Sequence, residues 1–343
     1  MEIGIIGLPG SGKSTLFEIM TSIKSCDLHG ESCIRGQAAV PDERLEHLAR
    51  IFKPQKVTPV KLTFIDVNLT GERAWAGLRQ TLSGSDGLLQ VVDGFSTNDP
   101  KEVWRSYRKI EDELILSDLA VVENRLTRLE KMGKKTLSPQ DMAQSQILPQ
   151  LKKQLESGKP LRDMGLSYDE VHLLKSFSFW TLKPELLVIN LGEEMERLLE
   201  SFQRMFDLSC PVMGISLLTE AEIARLTPEE RIEFLAALNI GEPAFHRIIR
   251  AAFSLLGMIT FFTCGPDEVK AWAVPANSKA PSAAAVIHKD FERGFIRAEV
   301  VSFDDFVRCG NSLGAAKNAG KLRLEGKEYR VQDGDIITFR FHV

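Results

Sequence analysis

The first apolar stretch of the chain is compact: Met1 to Gly7 carries Ile3, Ile5 and Ile6, with no charge after Glu2. A short apolar run closed by glycine reads as a strand buried on both faces. "TLFEIM" continues as a helix from about Ser14. "VKLTFIDV" (Val60 to Val67) predicts a second buried strand and "GLLQVVDGF" (Gly87 to Phe95) a third. Apolar strands separated by helical stretches indicate a parallel sheet covered on both faces.

From Lys101 the period changes. Ile115, Leu119, Val122, Leu126 and Leu129 recur at spacings of four, three, four and three, which is an apolar seam on a long helix. "KMGKKTLSP" interrupts it, with Gly133 and Pro139 as breakers; Ile147 or Leu148, Leu151 and Leu155 then resume helical spacing until "SGKP". The simplest arrangement is a helical hairpin of coiled-coil type inserted in the sheet domain. Strand patterns return at "PELLVINL" (Pro184 to Leu191) and "CPVMGISL" (Cys210 to Leu217). "TPEERIEFLAALNI" predicts a helix with Thr227 as cap, Pro228 in the first turn and Glu230 completing a capping box. "RAEVVSFDDFV" and "KLRLEGKEYRVQDGDIITFRF", with turns at "EGKE" and "QDGD", read as short strands of a small α+β domain. The expected fold class is α/β. The sheet domain runs over 1–100 and again over 181–257, the hairpin over 101–180 and the last domain over 258–343.

Composition changes this picture little. A chain of 343 residues, 43% hydrophobic and 26% charged, has the make-up of a soluble globular protein large enough to fold without staples. A net charge of −4 supplies no global attraction to nucleic acid or anionic membrane. Five scattered cysteines, an odd number without a C-x-x-C pair, point to reduced thiols rather than disulfides or zinc. No leader is expected, and the longest apolar runs, such as "AAFSLLGMITFF", fall short of a membrane span. A cytoplasmic protein without membrane contact is expected.

The chemistry begins directly after the first strand. "GLPGSGKS" (Gly7 to Ser14) fits G-x-x-x-x-G-K-[ST], with a strand before it and a helix after it. Gly7, Gly10 and Gly12 let the backbone turn its amides, Ser11 among them, toward a polyphosphate at the positive end of the helix. Lys13 is then expected on the β and γ phosphates, Ser14 on Mg²⁺ and Thr15 near the α phosphate. Asp66 ends an apolar strand, where a carboxylate holds Mg²⁺ through water; a turn-forming Asp is the competing reading. Lys13, Ser14 and Asp66 are the expected catalytic set.

"NLGE" (Asn190 to Glu193) follows another strand, at the position where guanine-specific GTPases carry N-K-x-D. Glu193 is one methylene longer than that Asp, and Leu191 replaces the Lys whose stem lies along the base. Adenine presents a different donor and acceptor pattern from guanine, so the change bears on which base is read. The competing reading is a strand-end Asn opening a helix with acidic residues in its first turn. "GIS" (Gly214 to Ser216) stands where such GTPases carry a base-contacting Ser-Ala, here Ser216 and Leu217.

Taken together, "GLPGSGKST", "VPDERLEHLARIFKPQK", "FID", "NLGE", "VIHKDFERGFIRAEV" and the C-terminal run to "ITFRFHV" resemble the YchF family, the Obg-like ATPases among the translation-factor-related P-loop NTPases. The resemblance covers essentially the whole chain. It implies a TGS-like β-grasp for the last domain, Mg²⁺-dependent ATP binding, slow hydrolysis, and association with ribosomes or other translation components. By position it also implies that Gly10 to Thr15 hold phosphates, that Ser14 and Asp66 serve the metal, and that Asn190, Leu191 and Glu193 surround the base. A monomer is expected.

The departures concern the switches. Where the family has D-x-A-G, this chain reads "DVNLTGERAWAG", so Leu69 replaces the Gly whose N–H meets the γ phosphate, and the segment is several residues short. Gly71 substitutes only if the loop shifts. "HGESCIRGQAAVPDE" offers no Thr to the metal, and Ser32 is a poor positional match; His29 and His47 are the nearest histidines. Phosphoryl transfer depends on positioning and charge stabilisation, so these changes threaten turnover more than binding. Three functions therefore stay open: a slow ATPase switch, a GTPase, and a nucleotide-holding scaffold with negligible hydrolysis. On the hairpin, Arg125, Arg128, Lys131, Lys134 and Lys135 suit either rRNA phosphates or a solvated helix face.

Overall fold

The structure is a computed structural model that describes residues 1–24, 33–67, 81–132, 137–192, 195–237 and 241–342. In chain order its elements are β1 (Glu2–Gly7), α1 (Lys13–Thr21), β2 (Cys33–Ala39), α2 (Glu43–Phe52), β3 (Lys56–Thr58), β4 (Lys61–Val67) and β5 (Gly87–Gly94). Then come α3 (Pro100–Lys131), α4 (Pro139–Glu156), α5 (Tyr168–Leu174), β6 (Glu185–Leu191), α6 (Met195–Met205), β7 (Val212–Ile215), α7 (Leu217–Arg225), α8 (Pro228–Ala237) and α9 (Ala244–Leu255). The rest is β8 (Met258–Cys264), β9 (Glu268–Pro275), α10 (Ala280–Ile287), α11 (Lys289–Arg293), β10 (Phe295–Ser302), α12 (Phe303–Arg308), α13 (Leu313–Asn318), β11 (Arg323–Glu325) and β12 (Asp335–Phe341).

The chain forms two compact units, Met1–Gly36 with Thr63–Ile248, and Gln37–Leu62 with Ile249–Val343. The first sheet has the order β2-β4-β1-β5-β6-β7, and parallel pairings join β4, β1, β5, β6 and β7. Parallel strands place their C-terminal ends together, so the ends of β1, β4, β5 and β6 meet at one edge of the sheet. β1 and β5 are buried almost throughout, which is why they read as unbroken apolar runs.

The expected hairpin is α3 followed by α4. Ile115, Val122 and Leu129 from α3 are buried against Ile147, Leu148, Leu151 and Leu155 from α4, with Leu119 and Leu126 packed beside them. Both arms begin with a cap and a proline: Asp99 accepts from the Lys101 amide before α3, and Ser138 forms a reciprocal box with Asp141 before α4. The Arg125 guanidinium bonds Asp141 and the Gln144 amide oxygen, joining the arms. That residue is thus engaged within the hairpin, whereas Arg128 and Lys131 are exposed. Lys134 and Lys135 lie outside the described residues.

The base of the hairpin is fixed by buried polar groups. The Asp118 carboxylate, on α3, accepts from the Trp180 amide at 3.1 Å and from the Thr181 amide and hydroxyl, each at 2.8 Å. Arg162 bonds Glu111 of α3 at 2.6 Å and also Glu185 of β6. Both carboxylates are wholly buried and, among the described residues, one guanidinium serves both, which leaves Glu111 Oε2 and Glu185 Oε1 without partners there. Burial, reinforced by Glu111, pushes the Glu185 carboxyl up to about 7.

The second unit contains a mixed sheet of order β11-β10-β12-β8-β9-β3. Its neighbours are antiparallel except β12 with β8 and β9 with β3. α10 crosses one face, where Ala280, Ala283 and Ala284 pack on Phe261, Val274, Ala298, Val300 and Ile337. Gln37–Leu62, counted with the sheet domain in the expected boundaries, clusters here instead. β3 supplies the edge strand beside β9, and Arg44 of α2 bonds Asp42 at 2.8 Å and Asp333 at 2.7 Å. Asp333 in turn accepts from the Thr260 amide.

Two expected strands end sooner than their sequence suggests. "CPVMGISL" is a strand only as far as Ile215, because the Ser216 hydroxyl accepts from the Thr219 amide and opens α7. "RAEVVSFDDFV" turns helical after Ser302, which caps α12 with Asp304 and Asp305 in its first turn. The Thr227–Glu230 capping box forms as expected.

Candidate functional site

The loop between β1 and α1 takes the conformation its glycines permit. Gly10 and Gly12 have φ of +81° and +96°, a region that disfavours any residue with a Cβ. The Ser11 amide bonds the Leu8 carbonyl at 3.2 Å, and α1 begins at Lys13. The first amides of α1 therefore face the loop, as anion binding requires. A Cβ on Gly7 would lie 2.6 Å from both Ser11 Oγ and the Val91 carbonyl oxygen. One on Gly12 would overlap the Leu217 side chain and reach 3.0 Å from Asn190 Nδ2. Gly12→Ala is accordingly expected to cost about 2 kcal/mol in stability and to weaken nucleotide binding, read by thermal melting and calorimetric titration.

Lys13 is buried, at 7% exposure, and burial lowers its pKa while Asp66 opposes the shift. Asp66 is the penultimate residue of β4, at 4% exposure, and hydrogen-bonds the Ser14 side chain. Burial is also the largest influence on Asp66, raising its pKa, with Ser14 and Lys13 pulling the other way. Asp66 Oδ1 is buried without a hydrogen-bond partner among the described residues. A dry carboxylate oxygen left free beside a serine hydroxyl is a donor set that fits a hard divalent cation. Ser11 Oγ is likewise buried and unpartnered. Thr15 is exposed in the first turn of α1.

Asn190 ties the loop to its surroundings. Its Nδ2 donates to the Ser11 carbonyl and its Oδ1 accepts from the Leu217 amide, both at 3.3 Å. The sequence-predicted residues Gly7, Gly10 to Ser14, Asp66, Asn190 and Leu217 are thus brought together. Leu191 is not: it is fully buried in the apolar cluster with Val92, Val103, Ile189 and Phe202, and its side chain occupies the space a Cβ on Gly214 would need. Alternation along β6 turns it to the side opposite Asn190. Ser216 is engaged in capping α7. Glu193, and the switch positions Leu69, Gly71, Ser32 and His29, lie outside the described residues. His47 accounts for itself elsewhere, 2.7 Å from the Asn311 side-chain oxygen and edge-on to Phe303.

Phe95 joins this group with little warning from the sequence. It follows β5, is 56% exposed, and its Cδ2 lies 3.7 Å from a Cβ built on Gly192, within "NLGE". An exposed aromatic ring beside that segment is available for stacking. The one signal in the sequence is an unpatterned Phe just past a buried strand.

Known proteins resemble this chain over nearly all of its length. The family model YchF-GTPase_C, described as a protein of unknown function (DUF933), matches residues 258–342. The chain is 38% identical over 372 residues to the "Ribosome-binding ATPase YchF" of Pasteurella multocida (strain Pm70), covering all of this chain and 99% of that protein. It is 37% identical over 370 residues to the protein of the same name from Bacillus subtilis (strain 168), covering both completely. The chain belongs to the YchF family. "Obg-like ATPase 1" of Oryza sativa subsp. japonica is 34% identical over 372 residues, with 92% of its length covered. Among solved structures, "Structure of the Schizosaccharomyces pombe YchF GTPase" superposes with a TM-score of 0.82 at 27% identity, covering 99% of this chain and 97% of that one. The YchF fold expected from the phosphate loop, the hairpin and the C-terminal run is therefore the fold observed. Among the described residues no helix is long and apolar enough to cross a membrane, and none of them groups three or more acidic, His or Cys side chains as a metal cluster.

Proposed function

We propose that this chain binds ATP with Mg²⁺ at the β1–α1 loop and hydrolyses it slowly, as a nucleotide switch associated with ribosomes. The observation that carries the reading is the phosphate loop joined to a buried Asp66 whose free oxygen sits beside Ser14. The glycine-rich backbone and the first turn of α1 would receive the phosphates, with Lys13 against the β and γ groups. Ser14 and Asp66 would hold Mg²⁺, which would supply positive charge against the phosphates. Asn190 keeps the loop in register with the start of α7, and Phe95 flanks the base at Gly192. Glu193 is assigned to the base edge.

Adenine and the ribosome enter through the relatives' names, "Ribosome-binding ATPase YchF" and "Obg-like ATPase 1". The name "GTPase" on the fission-yeast structure supports a second reading, in which guanine is admitted. A slow rate follows from the sequence: Val67, Asn68 and Leu69 succeed the metal carboxylate, and none is the Gln that orients water in Ras-type enzymes. A cytoplasmic monomer suits such a partner. Calorimetric titration with ATP and GTP analogues, each with Mg²⁺, is expected to show tighter binding of the ATP analogue. Preference for the GTP analogue would reverse the assignment, binding of neither would overturn the nucleotide site, and tight ATP binding without phosphate release would favour the nucleotide-holding scaffold.

A further inference from the structure

The two faces of the C-terminal sheet differ in character. α10 covers one face with a close-packed alanine surface. The other face carries a groove of about 430 Å³ between α13 and the strands β10, β11 and β12. Its floor is apolar: Ile336 is buried, Leu313 and Leu322 are half-buried, and Leu324 on β11 is 62% exposed. Three cations border that floor, Arg297 and Arg340 from the strands and Lys317 from α13.

Only Arg340 has its charge matched, by Glu299 on the neighbouring strand at 3.1 and 3.3 Å. Arg297 and Lys317 are exposed and form no ion pair with another described residue. The excess of positive charge is local, since the whole chain carries −4. A partly exposed leucine row beside unmatched cations is complementary to a ligand that carries both carboxylates and apolar side chains. Single-stranded nucleic acid would match the cations but not the floor, because the groove lining contains no aromatic ring for a base to stack on. Glu299 would also oppose a phosphate there.

We infer that this groove docks a short extended segment of a partner protein in which acidic residues alternate with leucine-like side chains. The segment's carboxylates pair with Arg297 and Lys317, and its apolar side chains cover Leu313, Leu322 and Leu324. The inference does not depend on the nucleotide reading, since its test contains no nucleotide.

The probe is a fluorescein-labelled peptide of repeated Glu-Leu-Asp-Leu, followed by anisotropy with the full chain. A peptide in which every acid is Lys and an oligouridylate RNA serve as comparisons. Saturable binding of the acidic peptide is expected, weaker at high salt. The double variant Arg297→Glu, Lys317→Glu should weaken it by about tenfold or more, and Leu324→Asp should weaken it without touching either cation. All three side chains are exposed, so melting temperatures should hold and losses report the surface itself. No binding of the acidic peptide, or equal binding to the variants, would overturn the proposal. So would tighter RNA binding that the same double variant abolishes, which would make the face a nucleic-acid surface.

Discussion

Lys13→Ala is expected to lower affinity for an ATP analogue by roughly a hundredfold, about 3 kcal/mol, while the fold survives. The side chain is buried at the first position of α1, beside glycines whose backbone already turns toward the same point. A cation held in a dry site meets phosphate with little screening, so its loss removes a strong charge-assisted contact. The charge that faces it is Asp66, which would then protonate more readily, because burial already favours the neutral carboxyl. That response absorbs the charge left behind, so the melting temperature should change little. Titration calorimetry beside circular dichroism reads both quantities. Unchanged affinity in a folded variant would remove the phosphate-loop assignment.

The largest stability effect is expected away from the nucleotide. Arg162→Met leaves the carboxylates of Glu111 and Glu185 buried without a counter-ion, a loss of about 3–5 kcal/mol by the precedent of broken buried pairs. Against a total of about 5–15 kcal/mol this is a large fraction, and a urea titration at neutral pH should show a clear fall in midpoint. The penalty should shrink in acid as the Glu185 carboxyl accepts a proton. The parent chain carries a milder form of the same dependence. The Glu185 carboxyl has a pKa raised to about 7 in the folded state, so the folded state holds its proton over a range where the unfolded chain has released it. Its favourable contribution is therefore complete below about pH 4.5 and is lost as pH rises through 7. Glu185→Gln should remove that slope and stabilise the protein above pH 7. A slope that persists in the Gln variant would place the titrating group elsewhere.

The phosphate loop and the hairpin were legible because their signals are local. A G-x-x-x-x-G-K-[ST] run between strand and helix, and a four-three apolar rhythm, need no distant residue to be interpreted. The features that escaped the sequence depend on partners far along the chain. β3 is only "KVT", and its strand character comes from register with Glu268 to Lys270. Arg162 sits in an unremarkable "PLRDMG", and its role appears only when Glu111 and Glu185 close on it. Leu191 shows the opposite fault: alignment by motif set it beside the base, while strand alternation sent its side chain into the core. In the same way Ser216 and Ser302 look like strand residues until their hydroxyls are seen to start helices.

The place of β3 has a consequence for how the chain is made. Lys56 pairs beside Glu268, and Arg44 closes on Asp333, 289 residues further along the chain. A nascent chain therefore exposes α2 and β3 early and must carry them, without their sheet, until those distant partners are made. The C-terminal segment matched by the family model is correspondingly not a module that can be cut out at Met258. Expressed alone it would present the bare edge of β9, an invitation to intermolecular strand pairing, unless Gln37–Leu62 were supplied with it.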